Sequence, residues 1–323
     1  MLGNASCNQQ VVMCSDIVKP NIIVICGPTA LGKTATAIEL AEIFTGEIVG
    51  ADSMQIYRYM DIGTAKPSPQ ELARVRHHLI DIADPDQRFD AKQYARTAHE
   101  KIMELVSQAT VPFVVGGTGL YIKALVHGLF RAESANDDIR THLKEEAQSH
   151  GTDFLYERLS RCDPDAAARI KPNDSYRIVR ALEIYQLTGK TISAYHHEHG
   201  FQDKPFRVLK IGLNMDRELL YDRINQRVDA MIAAGLVGEV QELLGRGYTP
   251  DLKAMQSIGY RHMVDFLKNR LSWHEAVRTL KRDTRRFAKR QLTWFKADSD
   301  IAWYTPGQLS DISRSIKKFL HMP

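Results

Sequence analysis

Residues 21–34, with the sequence NIIVICGPTALGKT, constrain the fold of this chain more strongly than any other stretch. The apolar run from Ile22 to Ile25 predicts a buried strand, and the apolar spacing from Ala35 to Phe44 predicts a helix. Between them, Gly27–Thr34 follows the pattern G-x-x-x-x-G-K-T. A strand, a glycine-rich loop and a helix in this order are the parts of a phosphate-binding P-loop. The stretch therefore predicts an α/β fold with a P-loop NTPase-like core, in which helices flank a parallel sheet.

The predicted loop also indicates which chemistry the site can perform. Backbone N–H groups of a P-loop face inward, and the positive end of the following helix strengthens their attraction for phosphate. The Lys33 ammonium can lie between two phosphates, and the Thr34 hydroxyl is a candidate ligand for Mg²⁺. The pattern specifies neither the phosphate compound nor whether a phosphoryl group is transferred. The residues predicted to bind the diphosphate or nucleotide are Gly27, Pro28, Thr29, Ala30, Leu31, Gly32, Lys33 and Thr34.

Length and composition predict a soluble globular protein with one large α/β domain and a smaller one. The chain has 323 residues, of which 25% are charged and 44% hydrophobic. No apolar stretch reaches the length of a membrane span, and the polar first twenty residues lack the pattern of a secretion signal. We interpret residues 1–20 as a flexible N-terminal extension. The four cysteines form no Cys-x-x-Cys pair, which favours a reducing cytoplasm and gives no support to a zinc site.

Positive charge is concentrated in one segment near the end of the sequence. Residues 281–296 contain seven basic residues and one acidic residue, so with a total charge of +4 the rest of the chain carries −2. This distribution predicts a polyanionic partner that binds at one place. Phe287, Trp294 and Phe295 interleave with the basic residues, which suits RNA because RNA offers both phosphates and unstacked bases. A core-facing aromatic stripe on the predicted helix Trp273–Lys296 is the competing explanation.

Asp52 is a candidate catalytic residue because of its position after a strand. Glu47–Ala51 predicts a second strand, and ligands of open α/β sheets lie beyond the carboxyl ends of the strands. Asp52 should therefore face the same crevice as the P-loop, as a general base or hydrogen-bond acceptor. An aspartate that caps the next turn is the alternative. A further predicted strand, Pro112–Val115, ends in the glycine turn 116–121 rather than in an aspartate, which argues against ordinary ATP hydrolysis. Asp52 and Asp81 remain alternatives for an aspartate in that role.

Residues 131–199 differ in character from the rest of the chain, because glycine is rare, charge is high and strand patterns are absent. We interpret them as an α-helical insertion domain, which divides the core into residues 21–130 and 200–323. On one predicted helix of the insertion, Arg177 and Arg180 share a face, which fits either a solvated surface or contact with phosphate. The cluster at residues 196–199, with three histidines, lacks regular spacing and a second cluster, which disfavours a metal site.

Several short motifs, in order along the chain, give it a family likeness. Together they extend from about residue 21 to residue 304. On these motifs the sequence resembles the tRNA dimethylallyltransferases, the tRNA isopentenyltransferase family. The segments that carry the resemblance are GPTALGKT (27–34), DS-x-Q (52–55), MDIGTAKP (60–67), GGTGLY (116–121), RALE (180–183), QR (226–227), IGYR (258–261) and KRQ-x-TW (289–294).

The resemblance implies a reaction that composition does not reveal. Members of the family transfer a dimethylallyl group from dimethylallyl diphosphate to the exocyclic amine of the adenosine 3′-adjacent to the anticodon in tRNA, and release diphosphate. It implies that the P-loop binds the donor diphosphate with Mg²⁺ at Thr34. It further implies three catalytic residues: Thr29 and Arg227 on the diphosphate, and Asp52 as acceptor of the amine proton. These roles fit the chemistry, since the leaving diphosphate gains negative charge and the amine is a poor nucleophile.

The resemblance also implies a large RNA partner, the anticodon stem-loop of tRNA. The insertion and the basic final helix would hold this stem-loop, and we expect a cytoplasmic monomer that binds no membrane. The residues that the resemblance places on tRNA are Asp52, Ser53, Met54, Gln55, Thr118, Arg140, Tyr176, Arg177, Ile178, Val179, Arg180, Gln256, Ser257, Ile258, Gly259, Tyr260, Arg261, Lys289, Arg290, Gln291, Leu292, Thr293, Trp294, Phe295 and Lys296.

Three alternatives remain open at this point. An adenylate isopentenyltransferase uses the same chemistry on free AMP, ADP or ATP, and a P-loop kinase of small metabolites would turn over ATP. The insertion and the basic segment favour a large RNA acceptor over both. A non-catalytic RNA-binding protein with a vestigial P-loop would bind tRNA but form no product.

Overall fold

One six-stranded sheet forms the centre of the molecule. The computed structural model describes residues 19–129, 136–200 and 203–322. The strands have the order β3-β2-β4-β1-β5-β6, and every neighbouring pair is parallel. They are β1 (Asn21–Cys26), β2 (Gly46–Gly50), β3 (His77–His78), β4 (Val111–Gly116), β5 (Arg207–Leu213) and β6 (Ile301–Tyr304). The predicted fold class is confirmed.

Helices connect and cover the strands. In the first half of the core they are α1 (Lys33–Ile43), α2 (Pro69–Arg74), α3 (Ala91–Ser107) and α4 (Gly119–His127). The segment between β4 and β5 adds α5 (Asp137–His150), α6 (Thr152–Cys162), α7 (Pro164–Arg169), α8 (Ser175–Thr188) and α9 (Ile192–His199). The second half of the core contains α10 (Arg217–Ala233), α11 (Leu236–Gly245), α12 (Tyr260–Leu267), α13 (Trp273–Lys296) and α14 (Leu309–Leu320).

Strand β1 is apolar throughout because both of its faces are covered, as expected for a parallel strand between helices. Alternate side chains of a strand point to opposite faces. Ile22 and Val24 pack in a cluster with α3 and α4, whereas Ile23 and Ile25 pack in a second cluster with α1 and α14. The P-loop therefore follows directly from a strand that is buried on both faces.

The segment interpreted as an insertion has a hydrophobic cluster of its own, built around Leu143, Leu155, Leu159 and Leu182. In its described part, residues 136–200, all regular structure is helical. Residues 1–18 and 131–135 fall outside the described residues, so the boundaries proposed for the N-terminal extension and the insertion stay a prediction.

The local patterns located several elements within a residue of their ends. The strands predicted at Glu47–Ala51 and Pro112–Val115 lie at Gly46–Gly50 and Val111–Gly116, and Trp273–Lys296 has the predicted bounds. Strand β3 is short and contains only His77 and His78. The sequence analysis assigned neither β6 nor α14, whose buried Ile312 and Ile316 cover one face of the sheet.

No helix among the described residues is both long and apolar enough to cross a membrane. Within the same residues, no group of three or more His, Cys, Asp or Glu side chains could hold a metal ion.

Candidate active site and nucleic-acid interface

The P-loop connects β1 to α1 in a conformation that depends on its glycines. Gly27 has a φ of 140°, and a Cβ there would lie 2.5 Å from the carbonyl oxygen of Leu213 on β5. Gly32 has a left-handed φ of 78° directly before α1. The Lys33 ammonium donates a hydrogen bond of 2.7 Å to the carbonyl oxygen of Pro28, so its side chain lies back across the loop. This is the position expected for a lysine that contacts a phosphate held by the loop.

Lys33, Arg227 and Asp52 are brought together although they lie far apart in the sequence. Burial lowers the pKa of Lys33 to about 8; the Arg227 charge acts in the same direction, and the Asp52 carboxylate opposes it. Burial also lowers the pKa of Arg227, again opposed by Asp52. One carboxylate thus lies within electrostatic range of two cations, one from α1 and one from α10. Thr29 and Thr34, both half-buried, belong to the same loop and helix start.

Asp52 combines the two roles that the sequence left open. Its Oδ1 accepts a hydrogen bond of 2.9 Å from the Met54 N–H, as an aspartate that stabilises a turn would. Its Oδ2 accepts no hydrogen bond from the described residues, and the side chain is half-buried. One oxygen therefore fixes the carboxylate, and the other is available to accept a proton.

The segment after β2 is joined to the glycine turn after β4. The Ser53 N–H donates to the Thr118 hydroxyl oxygen at 3.0 Å, and the Thr118 N–H donates to the Ala51 carbonyl at 3.1 Å. A Cβ at Gly116 would lie 2.1 Å from the Ala51 carbonyl oxygen, which explains the glycine. Ser53 and Thr118, both predicted to contact tRNA, thus lie side by side at the carboxyl ends of neighbouring strands.

Gln291 of α13 connects the P-loop to this glycine turn. Its Oε1 accepts a hydrogen bond of 3.0 Å from the Thr29 N–H, and its Nε2 donates one of 2.9 Å to the Gly117 carbonyl. The side chain is buried. The Gln291 side chain, which was predicted to contact tRNA, thus holds two loops of the site together in this structure.

The last two turns of α13 separate a buried face from an exposed one. Ala288, Gln291 and Phe295 are buried, and Leu292 is half-buried. The exposed residues are Phe287, Lys289, Arg290, Thr293, Trp294 and Lys296. The core-facing stripe therefore explains Phe295, whereas Trp294, with 44% of its surface exposed, remains available for stacking on a base.

In its middle, the basic helix is partly neutralised by Asp283. This carboxylate accepts hydrogen bonds from Arg261, Arg282 and His262 at 2.7, 2.9 and 3.2 Å. Burial opposes ionisation of Asp283, but these hydrogen bonds outweigh it and hold its pKa well below the usual range. Arg285 donates to the Asn225 side-chain oxygen at 2.6 Å. The exposed charge of the segment is thus concentrated toward its C-terminal end.

In the insertion, the buried carboxylate of Glu183 orients two of the predicted tRNA contacts. Arg140 of α5 donates to both of its oxygens, at 3.1 and 3.0 Å, and Arg180 of α8 donates to Oε2 at 3.0 Å. Glu183 is fully buried, whereas about a third of each arginine side chain is exposed. The guanidinium groups therefore lie next to each other at the surface, and the predicted contact of Arg140 with tRNA stays a prediction.

The other predicted contacts of α8 divide between surface and core. Tyr176 is 83% exposed, and Arg177 is exposed and forms an ion pair with Asp174. Ile178 and Val179 are buried in the hydrophobic cluster of the insertion. Their side chains support the helix, and the predicted contact of these two residues with tRNA stays a prediction.

The segment 256–261 is also divided. Gln256 is exposed and donates to the Pro250 carbonyl at 2.6 Å, and Ser257 and Ile258 are half-buried. Gly259 and Tyr260 are buried, and their predicted contact with tRNA stays a prediction. The Tyr260 hydroxyl donates to Glu239 at 2.6 Å, and a Cβ at Gly63 would lie 2.5 Å from its ring.

Glu239 of α11 is a structural residue that sequence reasoning missed. Besides the Tyr260 hydroxyl, its carboxylate accepts the N–H groups of Asp61, Ile62 and Gly63 at 2.8, 2.7 and 3.1 Å. It thereby fixes the loop that carries the motif at residues 60–67. The loop in turn accepts the Gln55 amide, which donates to the Thr64 and Ala65 carbonyls at 3.2 and 3.1 Å.

A cavity of about 470 Å³ lies behind the P-loop, with Cys26 and Trp294 in its wall. Lys210, which is buried in this wall, forms an ion pair of 2.7 Å with Asp298 and lies 3.3 Å from His127. The positive charge of Lys210 is thus neutralised within the wall. The P-loop, with Lys33 and Arg227, remains the candidate site for a diphosphate.

These features define a class of protein: a P-loop α/β protein whose candidate phosphate site lies beside a carboxylate and a basic, aromatic surface. The sequence model of the family described as IPP transferase matches residues 55–298, and the chain belongs to this family. A tRNA dimethylallyltransferase of Desulfosudis oleivorans is 55% identical over 303 residues, which cover 94% of this chain and 96% of that protein. One from Geobacter sulfurreducens is 51% identical and covers 93% and 97%.

Solved structures agree with this membership. The full-length tRNA isopentenylpyrophosphate transferase of Bacillus halodurans has a TM-score of 0.71 and 41% identity, with coverage of 94% of this chain and 97% of that one. A eukaryotic dimethylallyltransferase acting on tRNA has a TM-score of 0.77 and 28% identity, with coverage of 94% and 80%. The likeness therefore extends over nearly the whole chain.

Proposed function

We propose that this protein transfers a dimethylallyl group from dimethylallyl diphosphate to the exocyclic amine of the adenosine 3′-adjacent to the anticodon in tRNA, with release of diphosphate. The observation that carries the proposal is the placement of Asp52 within electrostatic range of both Lys33 and Arg227. A base and two cations at one site are what an amine nucleophile and a leaving diphosphate require.

In the proposed reaction, the bond between the allylic carbon and the diphosphate oxygen breaks as the adenine nitrogen bonds to that carbon. Lys33, Arg227 and the N–H groups of the loop stabilise the negative charge that grows on the diphosphate. The amine proton passes to Oδ2 of Asp52. Because the adenosine must leave the stack of the anticodon loop to reach this site, a single-stranded loop is a favourable substrate.

The residues at the site fit Mg²⁺ that is carried by the donor. Mg²⁺ keeps several waters and binds through one or two protein groups together with substrate phosphates. The half-buried Thr34 hydroxyl is one such group, and within the described residues no cluster of carboxylates competes for the ion. Bound there, Mg²⁺ would spread the negative charge of the diphosphate. We further propose that the protein acts as a cytoplasmic monomer, in keeping with its sparse cysteines.

One incubation tests the proposal. Protein, Mg²⁺ and labelled dimethylallyl diphosphate are mixed with unmodified tRNA that has adenosines beside its anticodon, and in parallel with AMP. Label in tRNA alone is the expected result. Label in AMP would assign the protein to the adenylate-type reaction, and consumption of ATP without transfer of label would indicate a kinase.

The exposed end of α13 leads to a prediction about RNA binding. Changing Lys289, Arg290 and Lys296 together to glutamine should weaken tRNA binding, because fewer counterions are released from the RNA. For three phosphate contacts to single-stranded RNA, the slope of log affinity against log salt should become shallower by about 2. Filter binding at several salt concentrations measures the slope.

The control makes the same change of charge elsewhere. Lys92, Lys268 and Lys318 are exposed lysines outside the predicted interface. Changing these three to glutamine should leave the slope unchanged. Equal slopes for the two triple variants would contradict a role of α13 in phosphate contact.

A further inference from the structure

Gln291 is the direct connection between the surface of α13 and the two loops at the site. Its partners, Thr29 and Gly117, lie 262 and 174 residues away in the sequence. Thr29 belongs to the P-loop, and Gly117 precedes Thr118, which binds the segment after Asp52. A single side chain thus touches the donor side and the acceptor side of the site.

The two hydrogen bonds require an amide. The Thr29 N–H needs an acceptor and the Gly117 carbonyl needs a donor, and a carboxamide offers one of each. A carboxylate would place an oxygen against the Gly117 carbonyl, and an apolar side chain of similar length would satisfy neither partner. The partners also fix which end of the amide is oxygen, so Gln291 is held in one orientation.

The helix that carries Gln291 presents its other face to solvent. Arg290 and Trp294 are exposed one turn apart, and Gln291 points inward between them in the sequence. An α-helix turns by about 100° per residue, so Gln291 extends from the same stretch of backbone as Arg290 and Trp294 but in another direction. An RNA that binds the exposed side chains therefore also holds the backbone that carries Gln291. When that backbone is held, the hydrogen bond from the Thr29 N–H to the Gln291 amide restricts the movement of Thr29.

We propose that Gln291 is a positioning residue that couples RNA binding on α13 to diphosphate binding in the P-loop. This inference rests on the proposed function. RNA on the outer face restrains the helix, the amide holds Thr29, and the loop then binds the diphosphate more tightly. Because coupling between two ligands is reciprocal, the diphosphate raises the affinity for RNA by the same factor.

The test measures the affinity for inorganic pyrophosphate with Mg²⁺, in the presence and absence of an unmodified anticodon stem-loop RNA. Pyrophosphate lacks the dimethylallyl group, so both ligands can be at equilibrium. For the unchanged protein we expect the stem-loop to raise pyrophosphate affinity by about tenfold, within the usual range of coupling. In Gln291→Met this factor should fall to near one, while the stem-loop alone binds as before.

Two further variants separate coupling from general damage. Gly117→Ala places a Cβ 2.3 Å from Nε2 of Gln291, so the change displaces the Gln291 amide without altering α13 itself. It should also abolish the increase in pyrophosphate affinity that the stem-loop causes. The double variant should lose no more of the coupling than either single variant, since both changes break the same bridge through the Gln291 amide. Gln241→Met makes the same chemical change at an exposed position of α11 and should leave the effect of the stem-loop on pyrophosphate affinity unchanged.

The results of these measurements either support coupling through Gln291 or contradict it. A tenfold factor retained in Gln291→Met or Gly117→Ala would overturn the inference, as would the absence of any factor in the unchanged protein. Failure of the stem-loop to bind the unchanged protein would overturn the proposed function as well. In steady-state assays of transfer, Gln291→Met should mainly raise the KM for dimethylallyl diphosphate. A loss of activity that appears in kcat alone, at unchanged KM, would contradict a positioning role.

Discussion

Asp52→Ala is expected to slow transfer of the dimethylallyl group by about 100-fold or more, with tRNA affinity nearly unchanged. The reason is chemical. Oδ1 of Asp52 is held by the Met54 N–H, and Oδ2 accepts no hydrogen bond from the described residues, so a fixed oxygen is available for the amine proton. Without it, the proton must pass to water. Single-turnover kinetics with saturating donor and tRNA measure the chemical step directly.

Asp52→Asn distinguishes the role of Asp52 as a base from its role in stabilising the turn. An asparagine oxygen can still accept the Met54 N–H, so the turn is kept, but the side chain cannot accept a proton at neutral pH. If Asp52 is the base, the asparagine variant should be about as slow as the alanine variant. Recovery of the normal rate in Asp52→Asn would show that the carboxylate serves only to shape the turn.

Lys33→Ala should lower the rate of transfer by about 10² to 10³-fold, the scale found when one preorganised charge-stabilising donor is removed. The Lys33 ammonium lies across the P-loop, 2.7 Å from the Pro28 carbonyl, where the diphosphate is proposed to bind. Its loss removes a positive charge beside the leaving group as that group becomes more negative. The measurement is transfer of label to tRNA at saturating donor, with pyrophosphate affinity determined separately.

The pH dependence of binding tests the same residue without removing its charge. Burial and the nearby Arg227 lower the pKa of Lys33 to about 8 in the free protein. A diphosphate favours the protonated amine, so affinity should be constant below pH 8 and should fall as the pH rises above it. In Lys33→Arg the side chain stays charged, and this part of the dependence should vanish. An identical pH profile for lysine and arginine would show that Lys33 is not the titrating group.

The elements that could be predicted from the sequence are those encoded by neighbouring residues. The P-loop and β1 follow from fourteen consecutive residues, and α13 has an apolar face and a capping serine, Ser272, that accepts the Glu275 N–H. Asp52 could be placed because the end of a parallel strand faces the ligand crevice in any open α/β sheet.

The parts of the site that were missed depend on contacts between distant segments. Glu239 holds a loop about 177 residues away, and no local pattern distinguishes it from any other helical glutamate. Glu183 had a usable signal, since it follows Arg180 by three residues on the same helix face, but its contact with Arg140 spans 43 residues. The resemblance placed Gln291 on RNA together with the rest of its segment, and only the packing of α13 shows that its side chain points inward.

Glu183 also has a consequence for conformational entropy. A free arginine side chain has about 2 kcal/mol of rotamer entropy to lose when it is fixed. In this protein the buried carboxylate already restrains the guanidinium groups of both Arg140 and Arg180. If these groups receive phosphates as proposed, much of their freedom is lost when the chain folds and not when the RNA arrives. A buried acidic residue, which repels RNA in the simplest view of charge, would in this way favour its binding.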